Sequence, residues 1–396
     1  MNWLTEDLPG IGGIYKQCPD DFHVEEIPLY PCSGEGEHAY LWIEKTGITT
    51  RDLLTQLARK LKLKERDIGY AGLKDAQALT RQMVSIPANK FDSTQELHLH
   101  GAKVISSSRH NNKLRIGHLA GNRFTITIRD VVTEALPKAL AIIKQLETRG
   151  VPNFFGEQRY GILGNSAQLG LLLLQQKYAD FCCEFIGNPS LIRNTEWKAS
   201  ATLYREGKID AAMHALPKRM RDERRLLRQL LEGKSHQTAA LALPRNLLRL
   251  FLSASQSQLF DQLLTARLPH IDKLITGDIA VKHINGACFR IEDSVAEQHR
   301  VETLEISPSA PLFGTKAMLA EGVPGQAERE LLKSTGLTDA NWSPAPKLTM
   351  PGARRPFRFP LKEATVSAHG DKFITLSFVL PKGCYATSVL RELIKN

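Results

Sequence analysis

The feature that most constrains the fold is a change of hydrophobic periodicity that occurs twice along the chain. Residues 40–45 are rich in aromatic and β-branched side chains, as in a buried strand, and residues 123–129 alternate apolar with polar, as in a half-exposed strand. From about residue 153, leucine-rich segments with a 3.6-residue period replace this pattern. Strand-like sequence returns after a proline cluster at 344–360. The sequence therefore predicts an α+β protein in which a mainly helical domain interrupts another domain.

This pattern also predicts the elements and the domain limits. A threonine at 49 or 50 can cap a helix in which Leu53, Leu54, Leu57 and Leu61 recur at helical spacing. We expect the first domain to comprise 1–152 and 356–396, with the inserted domain at 153–355. Further helices are predicted at 166–178, 197–205, 220–231, 246–264 and 386–395, and further strands at 278–281 and 373–380.

The charge balance indicates a polyanionic partner. Lys and Arg number 52 against 42 Asp and Glu, a formal net charge of +10, which favours nucleic acid as the partner. The longest strongly apolar run, at 169–174, is far shorter than the roughly 18 residues of a membrane span. The N-terminus lacks a signal-peptide pattern, and the six cysteines are scattered without a C-x-x-C, so we expect a cytoplasmic protein with reduced thiols.

Motifs for cofactors and metals are incomplete. The P-loop pattern G-x-x-x-x-G-K-[ST] is absent from the sequence. His23 and Glu25 match the H-x-E half of a zinc nucleobase deaminase, but Cys32 follows Pro31 without the second cysteine of P-C-x-x-C. A zinc ion would lack a ligand there. The sequence therefore predicts neither a cofactor nor a metal.

A stripe of four arginines follows one face of the helix predicted at 220–231. Their spacing of i, i+3, i+4 and i+7 places them together, opposite an apolar side. The stripe could track RNA phosphates, and a solvated basic helix face explains it equally well. The arginines are Arg221, Arg224, Arg225 and Arg228, and the apolar side is expected to contain Leu227, Leu230 and Leu231.

The most unusual segment is 68–86, where Asp75 follows two glycines, Gly69 and Gly72, between two strand-like runs. Glycines permit a tight backbone turn, and a carboxylate after them is presented at the end of a strand. On these residues alone, an aspartate that caps a turn is the more frequent explanation.

A resemblance to a known family favours a functional role for Asp75 over a simple turn cap. GYAGLKDAQALTRQ, at 69–82, resembles the catalytic motif of the tRNA pseudouridine synthase D (TruD) family. The resemblance implies a pseudouridine-synthase catalytic domain, with a mixed, largely antiparallel sheet flanked by helices, interrupted by a TruD-type domain. Further segments similar to the family, in the same order, are KQCPDDFHVEE (16–26), GNRFTITIR (121–129), VPNFFGEQRYG (151–161) and GCYATSVLRELIK (383–395).

The resemblance implies isomerisation of uridine to pseudouridine in tRNA, expected at position 13 and without a cofactor. It assigns the reacting carboxylate to Asp75, acting either as a nucleophile or as a base toward the ribose. Lys16 matches the basic partner that would keep Asp75 ionised. Lys74 should point away from Asp75, since neighbours on an extended chain face opposite sides, and we expect it to contact phosphate.

The same resemblance assigns the uracil pocket. Phe22, Phe124 and Tyr385 would line it, and the amide of Asn122 would bind the Watson–Crick edge, although aromatics in strands are usually core residues. Arg159 either contacts RNA or braces the two domains through carboxylates such as Glu157.

Two positions depart from the family pattern. Ala76 replaces a usual Lys or Arg, which puts local phosphate contacts in question. Tyr385 replaces a usual Phe, so its hydroxyl needs a partner or water.

An alternative from another class is a non-catalytic RNA-binding protein or tRNA-folding chaperone on the same scaffold. The combination of Lys16, Asp75 and Asn122 speaks against it, because simple RNA binding has little use for an acidic group at the entry site. No protein partner is implied, and without an obvious self-complementary apolar seam we expect a monomer.

Overall fold

The computed structural model describes residues 3–92, 97–370 and 372–395, and the chain forms two compact units. The first unit comprises Met1–Val151 and Phe359–Asn396, and the second comprises Pro152–Arg358. The chain thus leaves the first unit once and returns to it, as the double change of periodicity predicts for the α+β fold class.

One mixed sheet forms the first unit. Its strands run in the order β14-β15-β7-β2-β5-β3-β6, with β1 beside β7 and β4 beside β5. The β2–β5 pair is parallel and the other pairs are antiparallel. The strands are β1 (Ile14–Tyr15), β2 (Phe22–Pro28), β3 (His38–Lys45), β4 (Gly69–Tyr70), β5 (Leu79–Pro87), β6 (Ala102–His110), β7 (Leu119–Arg129), β14 (Lys362–His369) and β15 (Phe373–Pro381).

Three helices accompany this sheet: α1 (Thr50–Lys60), α2 (Ala135–Arg149) and α12 (Ala386–Ile394). Helix α1 begins where predicted because Thr49 and Asp52 form a reciprocal capping box. Leu53 and Leu57 are fully buried against β3 and β5, whereas Leu61 follows the helix and is only partly buried. The predicted strand alternation in β7 is also confirmed, with Phe124, Ile126 and Ile128 buried.

The second unit is mainly helical. Its helices pack around a leucine-rich core that includes Leu173, Phe181 and Trp342, and α3 crosses α9 so closely that Gly170 touches the backbone of Phe251. A side chain at 170 would collide with that carbonyl. The helices are α3 (Ser166–Leu174), α4 (Tyr178–Ile186), α5 (Thr195–Arg205), α6 (Ile209–Ala215), α7 (Arg221–Leu231), α8 (His236–Leu241), α9 (Arg245–Arg267), α10 (Ser294–Glu302) and α11 (Gly322–Ser334).

An antiparallel sheet in the order β10-β9-β11-β12 completes the second unit. Two short strands, β8 and β13, include the residues at which the chain passes between units. The strands are β8 (Val151–Pro152), β9 (Ile279–Lys282), β10 (Cys288–Arg290), β11 (Ile306–Leu312), β12 (Ala353–Pro356) and β13 (Arg358–Phe359).

Two details of the helical prediction are wrong. The single helix expected at 166–178 is two helices, because Gln176 adopts a left-handed backbone (φ +59°) that ends α3 and allows α4 to begin. On the apolar side of α7, Leu227 and Leu230 pack on the core as expected, but Leu226 joins them and Leu231 is 40% exposed at the last turn. Within the described residues, no helix combines the length and the hydropathy required to cross a membrane.

Candidate active site

The loop between β4 and β5 presents Asp75, and buried polar groups hold its backbone. The Nζ of Lys45, at the end of β3, donates to the carbonyls of Ile48 and Asp75, both at 2.8 Å. Thr50 Oγ1 accepts from the N–H of Lys74 at 2.8 Å, and the N–H of Gly47 donates to the carbonyl of Ala76 at 3.0 Å. Three of these hydrogen bonds, at the successive residues Lys74, Asp75 and Ala76, hold the backbone that carries the carboxylate.

The carboxylate of Asp75 is bound at both oxygens. Lys16 Nζ lies 2.7 Å from Oδ2, and the N–H of Gln77 donates to Oδ1 at 3.0 Å. Burial favours the neutral acid, but the hydrogen bonds from Lys16 and Gln77 and the charge of Lys16 outweigh it, so the pKa of Asp75 lies below its ordinary value. The side chain remains 39% exposed. Asp75 is therefore an ionised carboxylate that a solute can reach.

Lys16 adopts an uncommon backbone conformation. Its φ is +62°, in the left-handed region that a non-glycine residue enters at a cost of order 1 kcal/mol. Its ammonium also lies 4.3 Å from the centroid of the Phe22 ring. The lysine is thus aimed at two of the residues that the sequence assigns to the site, Asp75 and Phe22.

The sheet register brings the remaining aromatic residues to the same region. Phe22 begins β2 and packs edge-on against Phe124 of β7, with ring centroids 6.1 Å apart. Phe124 stacks in turn on Phe378 of β15. Both Phe22 and Phe124 are largely buried, at 5% and 7% exposure. Only a small part of each ring can therefore meet a base, and both rings also contribute to the core.

Asn122 lies two residues before Phe124 on the same face of β7, opposite Glu26 of β2 and Leu380 of β15. Its Oδ1 atom is buried and has no hydrogen-bond partner among the described residues. Such a group costs about 1–3 kcal/mol, which a ligand that donates a hydrogen bond would offset.

Tyr385 is 40% exposed at the N-terminus of α12. It follows β15 closely, and β15 runs beside β7 so that Leu380 is opposite Asn122. Tyr385 is thereby brought to the same end of the sheet as Asn122.

The expected contact between Lys74 and a phosphate is wrong. Lys74 forms an ion pair with Glu26 at 2.9 Å, and the two side chains are only 6% and 1% exposed. Burial raises the pKa of Glu26, and the Lys74 ammonium opposes this only in part. Lys74 therefore anchors the Asp75 loop onto β2 and has little access to a phosphate.

Sequence reasoning missed Lys45, Thr50 and Glu26 as supports of the site. Glu26 ends the family-like segment 16–26, but nothing in that segment indicates its partner, and Lys45 and Thr50, at a strand end and a helix start, lie outside the family-like segments. The only available signal was indirect: a lysine that ends a buried strand, as Lys45 does, must find acceptors if it does not reach solvent.

The candidate RNA contacts at 159 and 221–228 belong to the second unit. Arg159 donates to Ser257 Oγ at 3.1 Å and lies over the ring of Phe155, and the side chain of Glu157 is outside the described part of the chain. Arg224 donates to the carbonyls of Leu216 and Pro217 and thereby connects α7 to the end of α6. Its guanidinium is therefore not part of the exposed stripe. The exposed members of the stripe are Arg221, Arg225 and Arg228.

The second unit also contains a cleft of about 970 Å³ beside Tyr160 and Asp261. Asp261 already accepts hydrogen bonds from the Tyr160 hydroxyl at 2.6 Å and from the N–H of Phe155 at 3.1 Å. Both of these donors belong to the protein, so Asp261 has a structural role in binding Tyr160 and the backbone at Phe155. Across the described residues, no cluster of three or more His, Cys, Asp or Glu side chains is arranged to hold a metal ion.

Comparison with known proteins shows which family the chain matches. The family profile described as tRNA pseudouridine synthase D (TruD) matches residues 1–393. A tRNA pseudouridine synthase D of Syntrophotalea carbinolica is 52% identical over 395 residues, covering 100% of this chain and 99% of that protein. One from Thermus thermophilus is 36% identical, covering 99% and 92%.

A solved structure gives the same result for the fold. The crystal structure of a TruD protein from Methanosarcina mazei matches with a TM-score of 0.86 at 27% identity, and the match covers 100% of this chain and 96% of that one. With the family profile matched over nearly all of its length, this chain belongs to the tRNA pseudouridine synthase D family.

Proposed function

We propose that this chain, a tRNA pseudouridine synthase that isomerises uridine in tRNA, acts on uridine 13 and uses Asp75 as its reacting carboxylate with Lys16 as its partner. The observation that carries the proposal is the 2.7 Å contact between Lys16 Nζ and Asp75 Oδ2, on a carboxylate that is 39% exposed. A charged, accessible carboxylate is what attack at, or proton removal from, the ribose requires.

The reaction breaks the N1–C1′ bond, turns the uracil over and joins C5 to C1′. The proton on C5 is lost and N1 gains one, so atoms balance and no electrons leave the substrate. Asp75 acts either on C1′ as a nucleophile or on a ribose proton as a base. In either role the base must be held while it is detached, and the unpartnered Oδ1 of Asn122 is suited to accept a hydrogen bond from a uracil N–H.

The target nucleotide must leave its stack, at a cost of a few kcal/mol. Exposed parts of Phe22, Phe124 and Tyr385 would offset this through base contacts, at about 1–3 kcal/mol for each stacked base. Since Phe22 and Phe124 are mostly buried, Tyr385 offers the largest accessible aromatic surface of the three.

We further propose that residues 1–152 and 356–396 form the catalytic domain and 153–355 a TruD-type domain that contacts the tRNA through Arg159, Arg221, Arg225 and Arg228. We expect the enzyme to act as a monomer in the cytoplasm. In the described part of the chain the six cysteines form no disulfide, which is consistent with a reducing compartment.

An assay on unmodified tRNA transcript, with EDTA and without any cofactor, tests the proposal. Pseudouridine is mapped by carbodiimide modification and primer extension. The parent protein should yield a stop immediately 3′ of position 13, and a transcript with cytidine 13 should yield none. Asp75→Asn should reduce the single-turnover rate by at least about 10³-fold, because the amide is neither charged nor basic.

Asp210→Asn is the matched control, since it removes an exposed carboxylate from α6 and should leave the rate unchanged. Absence of product from the parent protein, with intact tRNA binding, would favour the RNA-binding alternative. Full activity of Asp75→Asn would remove Asp75 from the mechanism.

A further inference from the structure

The loop between β6 and β7 touches both loops that carry candidate active-site residues. The N–H of Gly117 donates to the carbonyl of Ala71, on the Asp75 loop, at 2.8 Å. The carbonyl of Gly117 accepts from the Nζ of Lys382, on the Tyr385 loop, at 3.2 Å. Gly117 has φ +88°, where other residues are strained, so this junction depends on a glycine.

A second segment, between α1 and β4, adjoins that loop. Lys113 Nζ donates to the carbonyl of Arg66, and Gly69 packs directly against the backbone of Leu114. Lys62, Lys64 and Arg66 of this segment are exposed, as are Arg115 and Lys382 beside the Gly117 junction. We call these five exposed cations the basic surface: Lys62, Lys64, Arg66, Arg115 and Lys382.

The charge on the basic surface is almost uncompensated. Arg66 approaches Asp67 only to 4.0 Å, with both side chains well exposed, and Glu65 accepts a hydrogen bond from Thr55 instead. Considering the described residues alone, no carboxylate lies within 4.0 Å of Lys62, Lys64 or Arg115.

Stability does not explain this arrangement. Arg59 and Lys60 lie in the last turn of α1, where cations stabilise the helix end. The basic surface lies outside that turn, and grouping like charges without partners destabilises a compact fold. A polyanionic ligand would supply the missing negative charge.

We infer that the basic surface binds phosphates of the tRNA strand that flanks the target nucleotide. The inference rests on the proposed function and adds a docking surface on the catalytic unit to it. Ala71 is four residues from Asp75, so the Gly117 junction is within about 14 Å of the reacting carboxylate along the chain. That span corresponds to two or three nucleotides, given phosphate spacings of roughly 6 Å. Phosphate contacts there would hold the strand while the base enters the site.

The salt dependence of tRNA binding tests the inference. Each phosphate contact changes the slope of log K against log salt by about 0.7–0.9. In the triple variant Lys62→Gln/Lys64→Gln/Arg66→Gln, the slope should become shallower by about 2 or more, and affinity at low salt should fall at least tenfold. The loss should appear in Kd for unmodified tRNA transcript, with a much smaller change in the single-turnover rate at saturating tRNA.

The control Lys138→Gln/Lys144→Gln/Lys362→Gln removes the same charge from α2 and β14. Strand β14 is at the opposite edge of the sheet from β3 and β6, so these lysines lie away from Lys62, Lys64 and Arg66, the three residues that the test variant changes. Equal slopes for both triple variants, or a slope unchanged from the parent, would overturn the inference. Thermal melts check that both variants fold. Binding is measured separately from pseudouridine formation. An inactive parent protein would therefore refute the proposed function, while the salt dependence of binding would still test whether the basic surface binds phosphates.

Discussion

Replacement of Lys45 by methionine is the sharpest test of how the Asp75 loop is held. Lys45 is 1% exposed, and its ammonium donates to the carbonyls of Ile48 and Asp75 at 2.8 Å, with the carbonyl of Lys74 at 3.4 Å. Methionine keeps most of the volume and removes the donors. The carbonyls of Ile48 and Asp75 would both lose the ammonium that donates to them.

The expected magnitude follows from those two short bonds. A buried carbonyl left without a donor costs about 1–3 kcal/mol, so two cost about 2–6 kcal/mol if water cannot reach them. If the loop moves to reach water, the cost in stability is smaller, but Asp75 moves with its backbone. A displacement of about 1 Å at a reacting group can lower the rate by about 10²-fold. We therefore expect the single-turnover rate to fall by about that factor, while Kd for tRNA changes little.

The pH dependence of stability gives an independent readout. Burial lowers the pKa of Lys45 to about 8, although the charge of Asp75 opposes the shift. The unfolded chain holds this proton up to about pH 10.4. Between these values the unfolded state binds more protons, so the contribution of Lys45 to the free energy of unfolding rises with pH. Urea unfolding of the parent and of Lys45→Met should show a gap that widens from pH 7.5 to pH 10.

Lys103→Met provides the matched control. Lys103 lies on the neighbouring strand β6 and pairs with Glu44 at 2.8 Å, but its side chain is 69% exposed, so its loss should cost no more than about 1 kcal/mol. A Lys45→Met variant whose rate and stability matched those of Lys103→Met would show that the carbonyl contacts do not position Asp75. A stability gap that narrowed with rising pH would show that the lysine is not buried as described.

Two further changes test the charges around the site. In Lys16→Met, burial of Asp75 is opposed by backbone donors and the more distant charge of Lys45, so the pKa of Asp75 should rise and the acid limb of kcat/KM should move to higher pH; an unmoved limb would contradict the pairing. Glu26→Gln leaves the Lys74 ammonium buried without its partner and should destabilise the fold by about 3–5 kcal/mol in urea titrations. Lys74→Met added to Glu26→Gln should recover part of that loss, and strictly additive effects would refute the coupling.

Local sequence was sufficient for the strands that build the site. The alternation of Phe124, Ile126 and Ile128 fixes which face of β7 is buried, and this places Asn122 on the same face. The Thr49 cap likewise defines the start of α1. Such features depend on neighbours in the chain, so one sequence reveals them.

Partners that are distant in the chain could not be predicted in the same way. Alternation predicts that Lys74 and Asp75 face opposite sides, but it does not reveal that Lys74 pairs with Glu26, 48 residues earlier. Arg224 has the spacing of a surface stripe, yet the carbonyls that end α6 bind its guanidinium. The spacing of residues within one helix or strand predicts which of them share a face. It does not predict which residues of other elements pack against that face.

Three lysines therefore support the Asp75 loop in different ways. Lys45 binds its backbone, Lys74 ties it to Glu26, and only Lys16 contacts the carboxylate itself. Lys16 is also the most exposed of the three, at 21% of its side chain. The two buried lysines are bound by carbonyls and by a buried carboxylate, and neither can take its place. Loss of Lys16 should therefore alter the titration of Asp75, whereas loss of Lys45 should alter its position.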